Sequence, residues 1–301
     1  MLNSKAYQYI RILAQEGSFS RAAESLGITQ PSLSQYVIKL EKQLGASLFD
    51  RGGGEVKLTE AGRLYLDTAA QIEELERGLM IQLEDLAEDR KGSLTVGTAP
   101  FRCAVMMPQI VKRFHRKYPG ISVIIREGTT RELMEGLEQG VYDLCLSVLP
   151  VDENLFSWEK VMEEEIVLAV PADQPLPAVF RSDRAYPAVS VRVLNDLPFV
   201  SLTKQQVMQQ LTDRLCAEYG LTLRTAATVK SLEAQLAMVQ AGVGAALLPE
   251  GVQALNNKDG VRYYSLAEKK LTRDVAVIWR KNRQLSRRAQ AFMQVIAEQE
   301  P

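Results

Sequence analysis

The sequence predicts a mixed fold, α/β plus α: a small helical N-terminal domain, one long helix, and a larger region of alternating strands and helices. Three observations carry that reading. Between residues 17 and 45 apolar residues recur at helical spacing on two short segments that meet across a glycine turn. From 59 to 90 one helical pattern runs without proline, its one interior glycine being Gly78. Beyond about 93, β-branched runs alternate with amphipathic stretches, the rhythm of a parallel sheet with right-handed crossovers.

Composition bounds the rest. The 301 residues, 46% hydrophobic and 24% charged, describe an ordinary globular chain of two or three domains. A net charge of −1 excludes a chain that is basic throughout. Residues 1–63 hold eight Lys/Arg and six Asp/Glu, a difference of +2, so a nucleic-acid partner would meet only a weak local patch. Cys103, Cys145 and Cys216 are widely spaced with no metal pattern, and Cys145 lies in an apolar run that reads as core. No signal peptide precedes the helical start and no apolar run approaches 18 residues, so a cytoplasmic location without membrane contact is expected.

Residues 4–15 form the first helix, with Tyr9, Ile12 and Leu13 among its apolar positions. Ser18 stands where it can cap a second helix carrying Ala22, Ala23 and Leu26 inward. Gly27 breaks that pattern and Ile28 plugs the turn. Thr29 can cap the third helix, and Pro31 falls in its first turn, where a missing N–H is tolerated. Leu33, Val37, Leu40 and Leu44 then recur at intervals of four, three and four. Ser32, Ser34, Gln35 and Lys39 take the opposite face. Two helices joined by such a turn, the second with an exposed polar N-terminus, make the helix-turn-helix that enters a major groove. Gly52-Gly53-Gly54, between Leu48-Phe49-Asp50-Arg51 and Glu55-Val56-Lys57-Leu58, reads as the tip of a hairpin wing.

These residues resemble the N-terminal domain of LysR-type bacterial transcriptional regulators. Ala22-Ala23, the turn at Leu26, Thr29-Gln30-Pro31, Ser34, Leu40-Glu41, Leu44-Gly45, Leu48-Phe49, Arg51 and Leu58-Thr59-Glu60-Ala61-Gly62 fall in register with that family. A generic two-helix hairpin is the plainer alternative. The resemblance implies a winged helix-turn-helix over 1–58, a dimerising linker helix over 59–90 and an effector-binding domain over 91–301. That domain is expected to be of the periplasmic-binding-protein type. One half would span about 91–163 with 268–301, the other about 164–267, joined by two crossing strands. The implied partners are double-stranded promoter DNA, a second copy of the chain and a small-molecule co-inducer, with no cofactor or metal and no catalysis. Tetramers and contact with RNA polymerase are left open.

In the long helix Leu64, Thr68, Ile72, Leu75, Leu79, Leu83 and Leu86 form a narrow stripe between acidic and basic residues. Such a stripe needs a cover, either the chain's own C-terminal domain or, as the resemblance favours, a second subunit. Further on, strands are expected at 93–97, 121–126, 143–149, 165–170, 199–200, 222–228, 244–248, 261–266 and 275–279. Helices are expected at 102–118, 131–139, 205–219, 232–241 and 287–298. Pro108 should kink the first of these or delay its start.

In open parallel sheets ligands bind at the carboxyl ends of strands, near helix N-termini that favour anions. Hydroxyls recur at those junctions. Thr98, Pro100, Phe101 and Arg102 follow the first strand, Thr129 and Thr130 the second, and Ser201 and Thr203 the strand at 199–200. Each hydroxyl also has a plain reading as a helix cap, equally good for Thr130 and Ser231; the resemblance favours the effector for Thr98, Thr129 and Ser201. Arg102 either meets a carboxylate or points to water. His115, the only histidine, lies among Arg113, Arg116 and Lys117 and reads as a solvated face.

For DNA, Gln30, Pro31, Ser34 and Gln35 would face base edges, glutamine being able to pair bidentately with adenine. Thr29, Ser32 and Lys39 would hold phosphates, with Ser18 counted beside them, and Arg51 would reach a narrow minor groove. The family often carries a basic residue where this chain has Gln35, and the triple glycine removes a basic wing tip. Two other classes compete with this reading. A solute-binding protein or enzyme with a helical appendage finds no nucleophile elbow, phosphate loop or paired metal ligands. A redox sensor would need cysteines that pair, and the three are not visibly paired.

Overall fold

The computed structural model describes residues 4–50, 56–86, 92–255 and 260–298, and in the long helix leaves out the side chains of 73, 74, 77 and 80–86. The chain divides into two compact units, residues 1–88 and 89–301.

In the first unit α1 (Ser4–Glu16), α2 (Phe19–Ser25) and α3 (Gln30–Leu44) enclose a core of Ala6, Ile10, Leu13, Ala22, Ala23, Leu33, Val37 and Leu40. Gly27 and Gly45 take left-handed φ of 66° and 70°, which end α2 and α3 at no steric cost to glycine. Two short antiparallel strands, β1 (Phe49–Asp50) and β2 (Lys57–Leu58), pair Phe49 with Leu58 and Asp50 with Lys57. The wing tip at Gly52-Gly53-Gly54, with Arg51, lies outside the described residues.

The long helix α4 runs Glu60–Leu86. Its inward face differs from the expected stripe. Tyr65 and Ala69 are the residues buried in the first unit's core, whereas Leu64, Leu75 and Leu79 are 68%, 73% and 55% exposed. The expected stripe is thus a second face, uncovered in the single chain, because the two apolar faces of α4 lie only one residue apart at their start. The side chains of Leu83 and Leu86 lie outside the described residues.

The second unit is built on an eight-stranded mixed sheet. Its first half alternates β3 (Gly92–Thr98), α5 (Pro100–Lys117), β4 (Ile121–Glu127), α6 (Thr130–Glu138) and β5 (Leu144–Val148). β3 pairs in parallel with both β4 and β5, as the αβ rhythm requires. α5 starts at Pro100, not delayed to 102, and continues through Pro108.

β6 (Phe156–Pro171) is the hinge element, and it is nine residues longer at its start than the sequence suggests. Glu159, Lys160 and Glu163 disguise that first half as loop, since one edge of the strand is open to solvent. There β6 pairs with β12 (Thr272–Arg280), which also pairs with β5. After Glu165 it changes partners to β10 (Ala246–Pro249) and β11 (Val261–Leu266), and short β7 (Ala188–Val189) extends that side. A parallel pair, β8 (Pro198–Leu202) and β9 (Arg224–Val229), completes the second half with α7 (Val207–Tyr219) and α8 (Leu232–Gln240). α9 (Arg287–Ala297) returns to the first half, where Phe292 meets Phe114 of α5 edge-on at 5.1 Å. Two halves therefore share two crossing strands, with separate cores around Ile110, Phe114 and Phe292 on one side and Leu168, Phe199 and Leu247 on the other.

Candidate DNA-reading face and effector cleft

The outward face of α3 is set by its cap. The Thr29 hydroxyl accepts from the Ser32 N–H at 3.4 Å and exchanges a 2.8 Å hydrogen bond with the Ser32 hydroxyl. Pro31 sits in the first turn as expected. Gln30, Pro31, Ser32, Gln35 and Lys39 are exposed, while Ser34 is half-buried. Ser18 holds the N-cap position of α2 in extended backbone but makes no capping hydrogen bond, which corrects the expected cap. Three residues of this region were not singled out in advance. Ile38 and Lys42 are exposed on the same outward face of α3. Tyr36 stacks edge-on against Tyr9 at 4.9 Å, with the Lys5 ammonium over both rings.

The wing is tied to α3 by one carboxylate. Glu41 Oε1 accepts from the N–H groups of Leu48 and Phe49, at 2.8 and 3.2 Å. Thr59 donates to the Ser47 carbonyl at 2.7 Å and caps Gly62 N–H at 3.0 Å. A Cβ on Gly62 would collide with the Leu48 carbonyl, so only glycine lets α4 leave that close to the strand.

In the second unit Phe101 and Arg102 lie where the two halves meet, and most of the expected effector residues are engaged internally. The Thr98 hydroxyl, fully buried, donates to the Leu146 carbonyl at 2.9 Å. Phe101 is buried across the halves against Ala169, Leu236, Leu248 and Val252. Thr129 caps α6 in a reciprocal box with Glu132, the cap reading in full, and Thr130 opens that helix half-buried. The Ser201 hydroxyl shares a 3.1 Å hydrogen bond with Thr225. Pro100 is exposed and Thr203 half-buried. Ser231 caps α8.

Arg102 meets a carboxylate, but one from its own chain. Its Nη2 lies 3.0 Å from Glu164 Oε1, and Arg273, paired across the crossing strands, binds the same oxygen. All three side chains are buried. Burial pushes the Glu164 carboxyl up, but Arg273 and Arg102 pull harder and hold it below the usual carboxylate range. Arg102 Nε is buried with no hydrogen-bond partner. The α5 N-terminus also lacks a side-chain cap, its N-cap being Ala99.

Two buried amides were missed. Gln209 Oε1 accepts from Leu202 N–H, and Gln235 Nε2 donates to the Val200 carbonyl, at 2.8 and 2.6 Å. Both bind the end of β8 next to Ser201, and Gln235 Oε1 is left without a partner. Their only trace in the sequence is a glutamine on an otherwise inward helix face.

All three cysteines are free. Burial, with Glu127 beside it, pushes Cys103 up to about 11, and burial raises Cys145 to about 12. Thiols so poorly ionised at neutral pH are weak nucleophiles. Among the described residues no group of acidic, cysteine or histidine side chains could hold a metal, and no helix is long and apolar enough to cross a membrane.

A capped helix with a polar outward face, followed by a two-lobed α/β domain, defines the class of DNA-binding regulators that carry their own ligand-sensing domain. Residues 4–63 match the model of the bacterial regulatory helix-turn-helix proteins of the lysR family, and residues 87–301 match the LysR substrate binding domain. The uncharacterized HTH-type transcriptional regulator YcgK of Bacillus subtilis (strain 168) is 29% identical over 99% of this chain and 94% of its own length. A probable RuBisCO transcriptional regulator of Synechocystis sp. is 30% identical over 96% of this chain and 84% of its own. The crystal structure of HinK, a LysR family transcriptional regulator from Pseudomonas aeruginosa, superposes with a TM-score of 0.61 at 26% identity, covering 99% of each chain. The chain belongs to the LysR family of transcriptional regulators. These relatives are regulators rather than enzymes, which removes the reading of an enzyme with a helical appendage.

Proposed function

We propose that α3 reads promoter DNA in the major groove, with Gln30, Pro31, Ser34 and Gln35 at base edges. Thr29, Ser32 and Lys39 hold the flanking phosphates, with Ser18 beside them and Arg51 at the wing. The observation that carries this is the exposed polar face of α3, presented by the Thr29 cap, opposite the buried Leu33, Val37 and Leu40. A homodimer joined through the uncovered leucines of α4 would set two such helices about 34 Å apart, one turn of duplex. The site of action is then the cytoplasm, where promoter and RNA polymerase are found.

The effector on this reading is a small anion, bound between the two halves beside Pro100, Phe101, Arg102, Thr129, Thr130 and Thr203, with Thr98 and Ser201 behind them. Support comes from the uncapped α5 N-terminus and the unsatisfied Arg102 Nε, both suited to a carboxylate. No other cofactor is needed. Binding shifts the population of lobe arrangements and through them the DNA-bound state.

The test is selection of binding sites from random duplexes by the full chain, followed by anisotropy titration with and without small carboxylates. Enrichment of a paired half-site about 10 base pairs apart is expected, with a carboxylate that changes its affinity or raises the melting temperature. No enrichment over random duplex contradicts the DNA reading. Enrichment without any carboxylate response contradicts the anion alone.

A further inference from the structure

The outward face of α3 is polar except at its centre. Pro31, Gln35, Ile38 and Lys42 follow one another at intervals of four, three and four, the spacing of the inward Leu33, Val37, Leu40 and half-buried Leu44 displaced by two residues. A shift of two residues turns a helix by about 200°, so the two rows stand on opposite sides. Ile38 is therefore a β-branched apolar side chain in the middle of the solvent row, 49% exposed, between Gln35 and Lys42. The internal core explains its buried neighbour Val37 and gives no reason for an isoleucine at 38.

We infer that Ile38 is a specificity-determining residue that reads the C5-methyl group of a thymine. The inference rests on α3 being the DNA-reading helix. The thymine methyl is the one apolar group that base edges present in the major groove, and apolar side chains recognise it by contact. Ile38 lies about 4.5 Å further along the helix axis than Gln35, close to the roughly 3.4 Å rise between neighbouring base pairs. Gln35 and Ile38 thus address adjacent steps, one by hydrogen bonds and one by burying a methyl. Lys42, a turn beyond, is placed to end the row on a phosphate. An adenine–thymine step next to a second thymine-containing step is the half-site feature this row selects.

The test uses the full chain and the duplex it enriches from a random library. Each thymine of the two half-sites is replaced in turn by deoxyuridine, which removes the methyl and leaves the pairing edge intact. Wild type should lose about fourfold in affinity at one symmetry-related position per half-site, as expected for one buried carbon. Ile38→Ala should bind the thymine duplex more weakly and no longer distinguish thymine from uracil there, while Ile38→Val keeps the distinction. Alanine is a strong helix former at an exposed position, so the variant should fold, and its sedimentation should match wild type. The inference is overturned if no thymine shows the penalty, if Ile38→Ala retains it in full, or if Ile38→Ala falls apart into monomers. That last result would place Ile38 between subunits. If Gln35→Ala relaxes base preference while uracil is tolerated everywhere, the helix assignment stands and only the role of Ile38 falls. If neither substitution alters any preference, both fall.

Discussion

At the residue scale, Glu41 and Glu164 show how one carboxylate can organise a junction. Glu41 satisfies two N–H groups on Leu48 and Phe49, both buried. Glu41→Ala should cost about 1–3 kcal/mol, the price of leaving buried donors unmet; urea denaturation of the full chain measures it, and a change within experimental error would refute the role. The Leu40-Glu41 and Thr59–Gly62 motifs were visible in the sequence, but their meeting at Leu48 was not. Glu164 was harder to read. In the run Glu163-Glu164-Glu165 it looks like a solvated charge, and only Arg102 and Arg273, 62 and 109 residues away, make it a buried hub. Its folded pKa lies below the unfolded value of about 4.3. Its stabilising contribution is therefore complete above that pH and is lost as pH falls through the folded pKa. Glu164→Gln should lose about 3–5 kcal/mol at neutral pH, because two buried guanidinium groups lose their shared partner. Melting curves from pH 3 to 7 should also show a shallower acid limb in the variant; an unchanged limb would contradict the assignment.

At the scale of elements, periodicity located helices well and strands less well. α1, α3 and the alternation β3-α5-β4-α6-β5 all follow from spacing. The hinge strand did not, since the first half of β6 shows Glu159, Lys160 and Glu163 to solvent and only its second half is a continuous apolar run. α4 teaches a related lesson. A stripe of leucines signals a face to be covered, but not which of two faces the chain covers itself. Tyr65 and Ala69 go inward, and Leu64, Leu75 and Leu79 are left exposed. Leu75→Glu combined with Leu79→Glu should shift the proposed dimer towards monomer at micromolar concentration in sedimentation equilibrium. Helical content should stay unchanged by circular dichroism. A dimer of undiminished affinity would move the interface elsewhere.

For the whole molecule, the outward row of α3 was more legible than the surroundings of the expected effector residues, and the reason is physical. A recognition helix is a local object: its cap, its buried row and its outward row all lie within residues 29–44, so spacing alone orders them. The surroundings of the expected effector residues come from α5, β6, β8, β9 and β12, and what Thr98, Arg102 or Ser201 meets depends on partners far away in sequence. Spacing marked Thr98, Arg102 and Ser201, and in this structure Leu146, Glu164 and Thr225 engage them. A saturating carboxylate at about 100 times its Kd would add about 2.7 kcal/mol to the folded state, a shift easily read in a thermal melt.

The most direct measurement compares wild type, Gln35→Ala and Lys39→Ala across single-base variants of the enriched duplex, at several salt concentrations. Gln35→Ala should alter preference at one step of each half-site and leave the salt slope as it was, whereas Lys39→Ala should weaken every sequence alike and lower the slope by about one per half-site. If both substitutions weaken all sequences equally, or neither weakens any, the outward row of α3 is not what reads the DNA.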